Sequence, residues 1–191
     1  KNHIILLPDA DPAMTGTGIA DSFTGCAGQR CMAASVLLAV GEVDQQIESI
    51  IERAKSTTLG NKMGAIITKE QHDFLHAAIE RAEKAGAKIL LDGRSAQAPK
   101  EYEGGYWLGP TILDNVTADS EASKIELFGP IISIIRCDNI SKALEIENAN
   151  EYGNAASVFT SNGGLAEMVA SKASAGMVGI NIGVPVPREP F

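Results

Sequence analysis

The sequence has no long apolar run and no cluster of basic residues, and each absence excludes a class of function. No apolar run among its 191 residues reaches the roughly 18–20 residues of a membrane-spanning helix, so we expect no membrane role. Its 24 acidic and 16 basic residues give a net charge of −8. Because neutralising a phosphate backbone needs clustered Lys and Arg, we expect no nucleic-acid partner.

Cysteine is also scarce, with only Cys26, Cys31 and Cys137 present. An odd and sparse set argues against a disulfide scaffold and favours a reducing compartment. Cys26 and Cys31 are close enough to pair on oxidation, but their spacing matches no common zinc pattern. The chain starts Lys1-Asn2-His3, without an initiator Met or a signal-peptide pattern, so we expect it to be cut from a longer protein.

The apolar pattern predicts twelve elements in the order β-α-β-α-α-β-β-β-α-β-α-β. Strands are expected at residues 3–7, 32–40, 88–91, 107–116, 131–136, 156–160 and 177–182. Helices are expected at residues 11–24, 42–57, 68–86, 141–150 and 162–174, and residues 184–191 are expected to form neither helix nor central strand. Continuous apolar strands separated by helices predict the α/β class: one domain with a mostly parallel open sheet and helices on both faces.

Two patterns in the sequence resemble ligand sites, but the residues around them argue against both interpretations. Gly16-x-Gly18-x-x-Asp21 has the glycine spacing of a dinucleotide loop, but it falls inside a predicted helix and carries an anion where Gly or Ala is needed. His72 and His76 lie four residues apart on a predicted helix, as metal ligands can, but no third ligand is evident. A solvated helix edge is the favoured interpretation, and no metal site is predicted.

The segment around Cys31 is the most informative in the chain. It reads Phe23-Thr24-Gly25-Cys26-Ala27-Gly28-Gln29-Arg30-Cys31, a glycine-containing turn followed by a cation and then an apolar run. An adjacent positive charge favours the thiolate form, which is the nucleophile. The alternative is a small buried core residue, a common fate of free cysteine. The residues alone leave both possibilities open.

Four segments in the same order resemble the C-terminal catalytic part of NAD(P)-dependent aldehyde dehydrogenases. They are Gly28-Gln29-Arg30-Cys31, Glu126-Leu127-Phe128-Gly129-Pro130, Tyr152-Gly153-Asn154 before the strand Ser157-Val158-Phe159-Thr160, and Gly176-x-Val178-Gly179-Ile180-Asn181. The resemblance covers the whole chain but well under half of a full-length member. It implies that residues 1–191 are the cysteine-bearing catalytic domain, and that the N-terminal NAD-binding domain lies outside the chain.

The resemblance implies a role for each of four residues. Cys31 would attack the aldehyde, pass through a thiohemiacetal and a thioester, and donate its backbone N–H to the oxyanion. Glu126 would bind the nicotinamide ribose of NAD, and Phe128 would pack near the nicotinamide. Arg30 would bind the carboxylate of a semialdehyde substrate, a pairing that suits the guanidinium fork.

Within this family the chain most resembles the CoA-acylating methylmalonate-semialdehyde dehydrogenases, in which CoA is the co-substrate. Arg30 directly before the cysteine supports this, as do Asn154 and the Pro185-Val186-Pro187 stretch. Full-length members are homo-oligomers, and the expected location is a bacterial cytoplasm or a mitochondrial matrix. The isolated chain is expected to fold without oxidising aldehydes. Two alternatives stay open: a hydrolytic aldehyde dehydrogenase of other specificity, and a non-catalytic binding or assembly module with a structural Cys31.

Overall fold

A computed structural model describes residues 1–186, which form seven strands in one sheet, six α-helices and three short 3₁₀ turns. The strands are β1 (Asn2–Leu6), β2 (Ala34–Val40), β3 (Lys88–Leu91), β4 (Thr111–Asp114), β5 (Ile131–Cys137), β6 (Ala155–Phe159) and β7 (Met177–Ile180). The helices are α1 (Pro12–Thr24), α2 (Asp44–Lys55), α3 (Lys69–Lys84), α4 (Glu121–Lys124), α5 (Ile140–Asn148) and α6 (Gly163–Lys172).

The sheet has the spatial order β3-β4-β5-β2-β1-β6-β7. All neighbouring strands are parallel except β3, which pairs antiparallel with β4 at one edge. Because the other strands run in one direction, the segments that precede them meet at a single edge of the sheet. The predicted mostly parallel open sheet is therefore confirmed.

Helices cover both faces of the sheet, as predicted. Side chains alternate across β1, so that Ile4 joins one apolar cluster and Ile5 the other. Helices α1 and α2 pack on the Ile4 side, through residues such as Phe23 and Ile50. Helices α3, α4, α5 and α6 pack on the Ile5 side. Burial on both faces explains why the parallel strands are apolar throughout rather than alternating.

Glycine in α1 permits close packing against α2 and β6. A Cβ at Gly16 would lie 2.9 Å from the backbone oxygen of Ser49 in α2, and a Cβ at Gly18 would lie 2.8 Å from the ring of Phe159. Both glycines lie inside α1, whose first turn is capped by Asp11 accepting from Met14 N at 2.8 Å. The interpretation of Gly16-x-Gly18-x-x-Asp21 as helix is therefore confirmed.

The structure differs from the predicted elements in three places. Strand β2 begins at Ala34 rather than at residue 32, because Ala33 N donates to Arg30 O at 3.2 Å and closes a turn. The predicted extended segment 107–116 forms a strand only over Thr111–Asp114, and the short helix α4 was not predicted. Residues 184–186 are neither helix nor strand, as expected, and the rest of that predicted tail, 187–191, lies outside the described residues.

None of the helices within residues 1–186 combines the length and apolar character needed to cross a bilayer.

Candidate active site

Cys31 lies in the turn that joins α1 to β2, at the amino edge of the parallel strands. The turn before it is left-handed at three successive residues: φ is 53° at Cys26, 54° at Ala27 and 66° at Gly28. This conformation is unfavourable for the first two, which carry side chains. Strained backbone that persists at one place in a fold is typical of functional sites.

Gly28 brings the cysteine turn against the segment that contains Glu126 and Phe128. A Cβ at Gly28 would overlap the carbonyl group of Gly129 and would lie 2.9 Å from Pro130 N. Only glycine permits this approach, and its φ of 66° also favours glycine. The first two of the four resembling segments are thus in direct backbone contact, although about 100 residues separate them.

The two peptide groups that flank Cys31 are both held in place. The Cys31 carbonyl accepts from Asn2 Nδ2 at 2.8 Å and from Asn154 Nδ2 at 3.1 Å, and the Arg30 carbonyl accepts from Ala33 N. The side chain of Cys31 is exposed, and its backbone N–H donates to no acceptor within residues 1–186. An exposed thiol beside a free N–H can attack a carbonyl and stabilise the oxyanion that forms.

Arg30 points toward α1 rather than toward the thiol. Its Nη2 donates to Ser22 O at 3.2 Å, and its guanidinium occupies the space that a Cβ on Gly25 would need. Its Nε is buried without a partner in the described chain. It lines a cavity of about 660 Å³ together with Met14, Thr17, Gly18, Asp21, Ser22 and residues 181–186. Guanidinium N–H groups other than the buried Nε could bind a carboxylate in this cavity.

Glu126 and Phe128 lie together beside the cysteine turn. The Phe128 ring is 40% exposed and its backbone has a φ of 56°. Glu126 Oε2 lies 2.7 Å from the backbone nitrogen of Lys1. The Lys1 side chain is buried beneath and donates to Ala122 O at 3.0 Å; burial lowers its pKa to about 8, an effect that the Glu126 charge opposes.

The side-chain amides of Gln29 and Gln71 hold the cysteine turn and the segment of Phe128 in place. The sequence alone did not indicate this role for either residue. Gln29 donates to Ala65 O at 3.1 Å and accepts from Ile67 N at 3.0 Å. Thr68 caps α3 by accepting from Gln71 N at 3.2 Å, and the Gln71 amide donates to the carbonyls of Leu127 and Phe128 at 2.6 and 3.2 Å.

The third and fourth resembling segments reach the same edge of the sheet. Asn154 directly precedes β6 and contacts Cys31, and Gly176 N, just before β7, donates to Gly153 O at 2.8 Å. Asn181, just beyond the carboxyl end of β7, exchanges two hydrogen bonds of 2.9 Å with the backbone of Thr160 at the opposite edge of the sheet. The starts of the third and fourth segments therefore lie at the edge that holds Cys31, and their ends do not.

The other two cysteines differ in their surroundings. Cys26 is exposed in the same turn as Cys31. Cys137 is buried in β5, and burial raises the pKa of its thiol to about 11. Cys137 is therefore a core residue, held as a neutral thiol.

His72 and His76 stack with their ring centroids 4.2 Å apart, and His72 Nε2 lies 3.1 Å from Trp107 O. The described chain, residues 1–186, contains no group of three or more His, Cys, Asp or Glu side chains arranged to hold a metal.

A sequence model described as the aldehyde dehydrogenase family matches residues 1–191. The chain is 39% identical over 188 residues to a probable methylmalonate-semialdehyde/malonate-semialdehyde dehydrogenase [acylating], mitochondrial, of Drosophila pseudoobscura pseudoobscura, covering 95% of this chain and 36% of that protein. It is 38% identical over 198 residues to malonate-semialdehyde dehydrogenase 2 of Geobacillus kaustophilus, covering 100% of this chain and 40% of that protein.

Comparison with solved structures gives relatives of the same kind. A putative methylmalonate-semialdehyde dehydrogenase from Sinorhizobium meliloti, complexed with NAD, superposes with a TM-score of 0.92 at 36% identity, covering 98% of this chain and 40% of that chain. Methylmalonate-semialdehyde dehydrogenase from Oceanimonas doudoroffii gives a TM-score of 0.93 at 34% identity and the same coverage. The chain therefore spans well under half the length of the relatives that it matches.

Replacing Gln71 with Met should loosen the segment that carries Phe128. Methionine keeps the side-chain length but cannot donate, so the carbonyls of Leu127 and Phe128 lose their partner, at a cost of about 1–2 kcal/mol in unfolding free energy. Urea unfolding measures this loss, and amide hydrogen exchange over residues 125–131 should become faster.

Gln97→Met is the matched control, because exposed Gln97 makes a single long side-chain hydrogen bond within the described part of the chain, to Ser95 O at 3.3 Å. Equal stability and equal exchange in the two variants would contradict the role given to Gln71.

Proposed function

Because the chain belongs to the aldehyde dehydrogenase family, we propose that it is the cysteine-bearing catalytic domain of an NAD-dependent, CoA-acylating dehydrogenase of malonate or methylmalonate semialdehyde. The observation that carries the proposal is the position of Cys31. Its thiol is exposed, its N–H is free within residues 1–186, and its turn contacts the segment with Glu126 and Phe128. The names of the relatives support the substrate and the acylating outcome.

Cys31 acts as the nucleophile in this proposal. Its thiolate attacks the aldehyde carbon, a C–S bond forms, and the carbonyl electron pair moves to oxygen. The Cys31 N–H donates to that oxyanion. Collapse of the thiohemiacetal expels a hydride and leaves an acyl thioester on Cys31. The thiolate of CoA then attacks the thioester carbon and displaces the Cys31 thiolate, which restores the nucleophile.

Arg30 binds the substrate carboxylate. The cavity that it lines is about 660 Å³, and among the described residues its guanidinium uses one donor, Nη2, on Ser22 O. A guanidinium binds a carboxylate through two parallel hydrogen bonds, which gives orientation as well as affinity.

Glu126 and Phe128 form the part of the cofactor site that lies in this chain. Both residues fit a nicotinamide nucleoside, because a carboxylate can accept from ribose hydroxyls and a 40% exposed ring offers an apolar face. NAD, when bound, supplies the acceptor for the hydride. The left-handed backbone at Phe128 and its contact with Gln71 hold the ring at the surface beside the cysteine turn.

The first test of the proposal is the relative reactivity of the three thiols. Iodoacetamide should alkylate Cys31 faster than Cys26, and Cys137 should resist because burial raises its pKa to about 11. Arg30→Ala should slow alkylation of Cys31 only weakly, because the guanidinium donates to Ser22 O on α1 and its charge acts on the thiol from a distance. Peptide mass spectrometry after timed labelling gives the three rates, and Arg53→Ala on α2 is the control. Equal labelling of all three cysteines would show that the site is not assembled.

The second test concerns substrate class. Malonate semialdehyde should protect Cys31 from iodoacetamide at a concentration about tenfold lower than propanal, because only the former has a carboxylate for Arg30. The preference should vanish in Arg30→Met and persist in Arg53→Met. Equal protection by both aldehydes in the parent chain would overturn the carboxylate role.

A further inference from the structure

Cys31 is held from its carbonyl side by two side-chain amides that come from different strands. Asn2, at the start of β1, is buried and saturated: Nδ2 donates to Cys31 O and to Ala33 O, and Oδ1 accepts from Ala155 N at 3.2 Å. Its loss would disturb three strands. Asn154 differs, because it is exposed and, among residues 1–186, its amide reaches only the Cys31 carbonyl and Met32 Sδ, at 3.1 and 2.9 Å.

The two peptide planes at a residue set the direction of its Cα–Cβ bond and of its N–H. At Cys31 the first plane is fixed through the Arg30 carbonyl, which accepts from Ala33 N. The second plane is fixed through the Cys31 carbonyl by Asn2 and Asn154. A turn of this kind lies outside the ladder of hydrogen bonds that holds β2, so these side-chain amides replace the support that a ladder would give.

We propose that Asn154 is a positioning residue that holds the Cys31 carbonyl and thereby aims the Cys31 thiol and N–H at one reacting carbonyl group. This rests on the proposed function of Cys31 as a nucleophile. The position of Asn154 is itself determined by β6, which it precedes and which pairs with β1. The contact therefore links the register of the sheet to the geometry of the nucleophile.

Two reagents distinguish a change in the positioning of the Cys31 thiol from a change in its exposure. With p-nitrophenyl acetate, the Cys31 thiolate attacks the ester carbon, a C–S bond forms, the aryl C–O bond breaks, and p-nitrophenolate leaves; an oxyanion develops on the way. With iodoacetamide, a C–S bond forms and iodide leaves without an oxyanion. Both rates depend equally on the fraction of thiolate, so their ratio at one pH cancels any change in that fraction and reports alignment with the N–H.

Asn154→Ala should lower the ratio of acylation to alkylation at Cys31 by about three- to tenfold, the effect of losing one neutral hydrogen bond. Asn154→Asp keeps the shape of the side chain but replaces the donating NH₂ by an acceptor, so the ratio should fall at least as far. Peptide mass spectrometry measures both rates in the 191-residue chain, and thermal unfolding confirms that the variants are folded.

Asn148→Ala is the matched control. Asn148 also makes two hydrogen bonds, to Lys172 O and Ser174 N at 3.0 and 2.7 Å, but it lies at the end of α5 and does not contact the cysteine turn. The ratio of acylation to alkylation at Cys31 in Asn148→Ala should equal that of the parent chain. A ratio in Asn154→Ala within twofold of the parent, or a ratio restored by Asn154→Asp, would overturn the proposal.

Failure of the proposed function gives a different result. The parent chain would then be acylated at Cys31 no faster than at Cys26, which would overturn the nucleophile and its positioning together. If only the role of Asn154 fails, the parent and Asn154→Ala remain equally fast and equally selective for Cys31.

Discussion

The close approach of Gly28 to the carbonyl of Gly129 is the contact on which the candidate site depends. It leaves no space for a Cβ, and it joins a left-handed turn before β2 to the segment before β5. Since β2 and β5 are adjacent and parallel, the two segments already lie at one edge of the sheet. The glycine converts that proximity into direct contact, so that the thiol of Cys31 and the ring of Phe128 belong to one surface.

Side-chain amides complete this arrangement without a regular hydrogen-bond ladder. Gln29, Gln71, Asn2 and Asn154 each bind backbone groups of a distant segment, and together they fix the turns around Cys31 and Phe128. Amides suit this work because they donate and accept at once and carry no charge that burial would penalise. Because these turns precede the parallel strands, the site lies at their amino ends, whereas ligands of open α/β sheets generally bind at the carboxyl ends.

Much of the fold could be predicted from the sequence, because burial on both faces makes parallel strands apolar throughout and gives helices a clear stripe. The Asp11 cap and the exclusion of Gly16 and Gly18 from phosphate binding also follow from local rules. The amide contacts could not be predicted, since Asn154 lies 123 residues from Cys31 and such pairs leave no periodic signal. The left-handed backbone at Cys26 and Ala27 could not be predicted either, because neither residue is glycine. Site residues were found by resemblance to a family, and spacing alone left Cys31 undecided.

The most direct test of the account is detection of the covalent adduct itself. Malonate semialdehyde labelled with ¹³C at its aldehyde carbon should, on mixing with the chain, give a carbon resonance in the thiohemiacetal region. The account predicts that this resonance appears in the parent chain and in Cys26→Ser and is lost in Cys31→Ser. A resonance that survives in Cys31→Ser, or one that depends on Cys26, would contradict the assignment of Cys31 as the nucleophile.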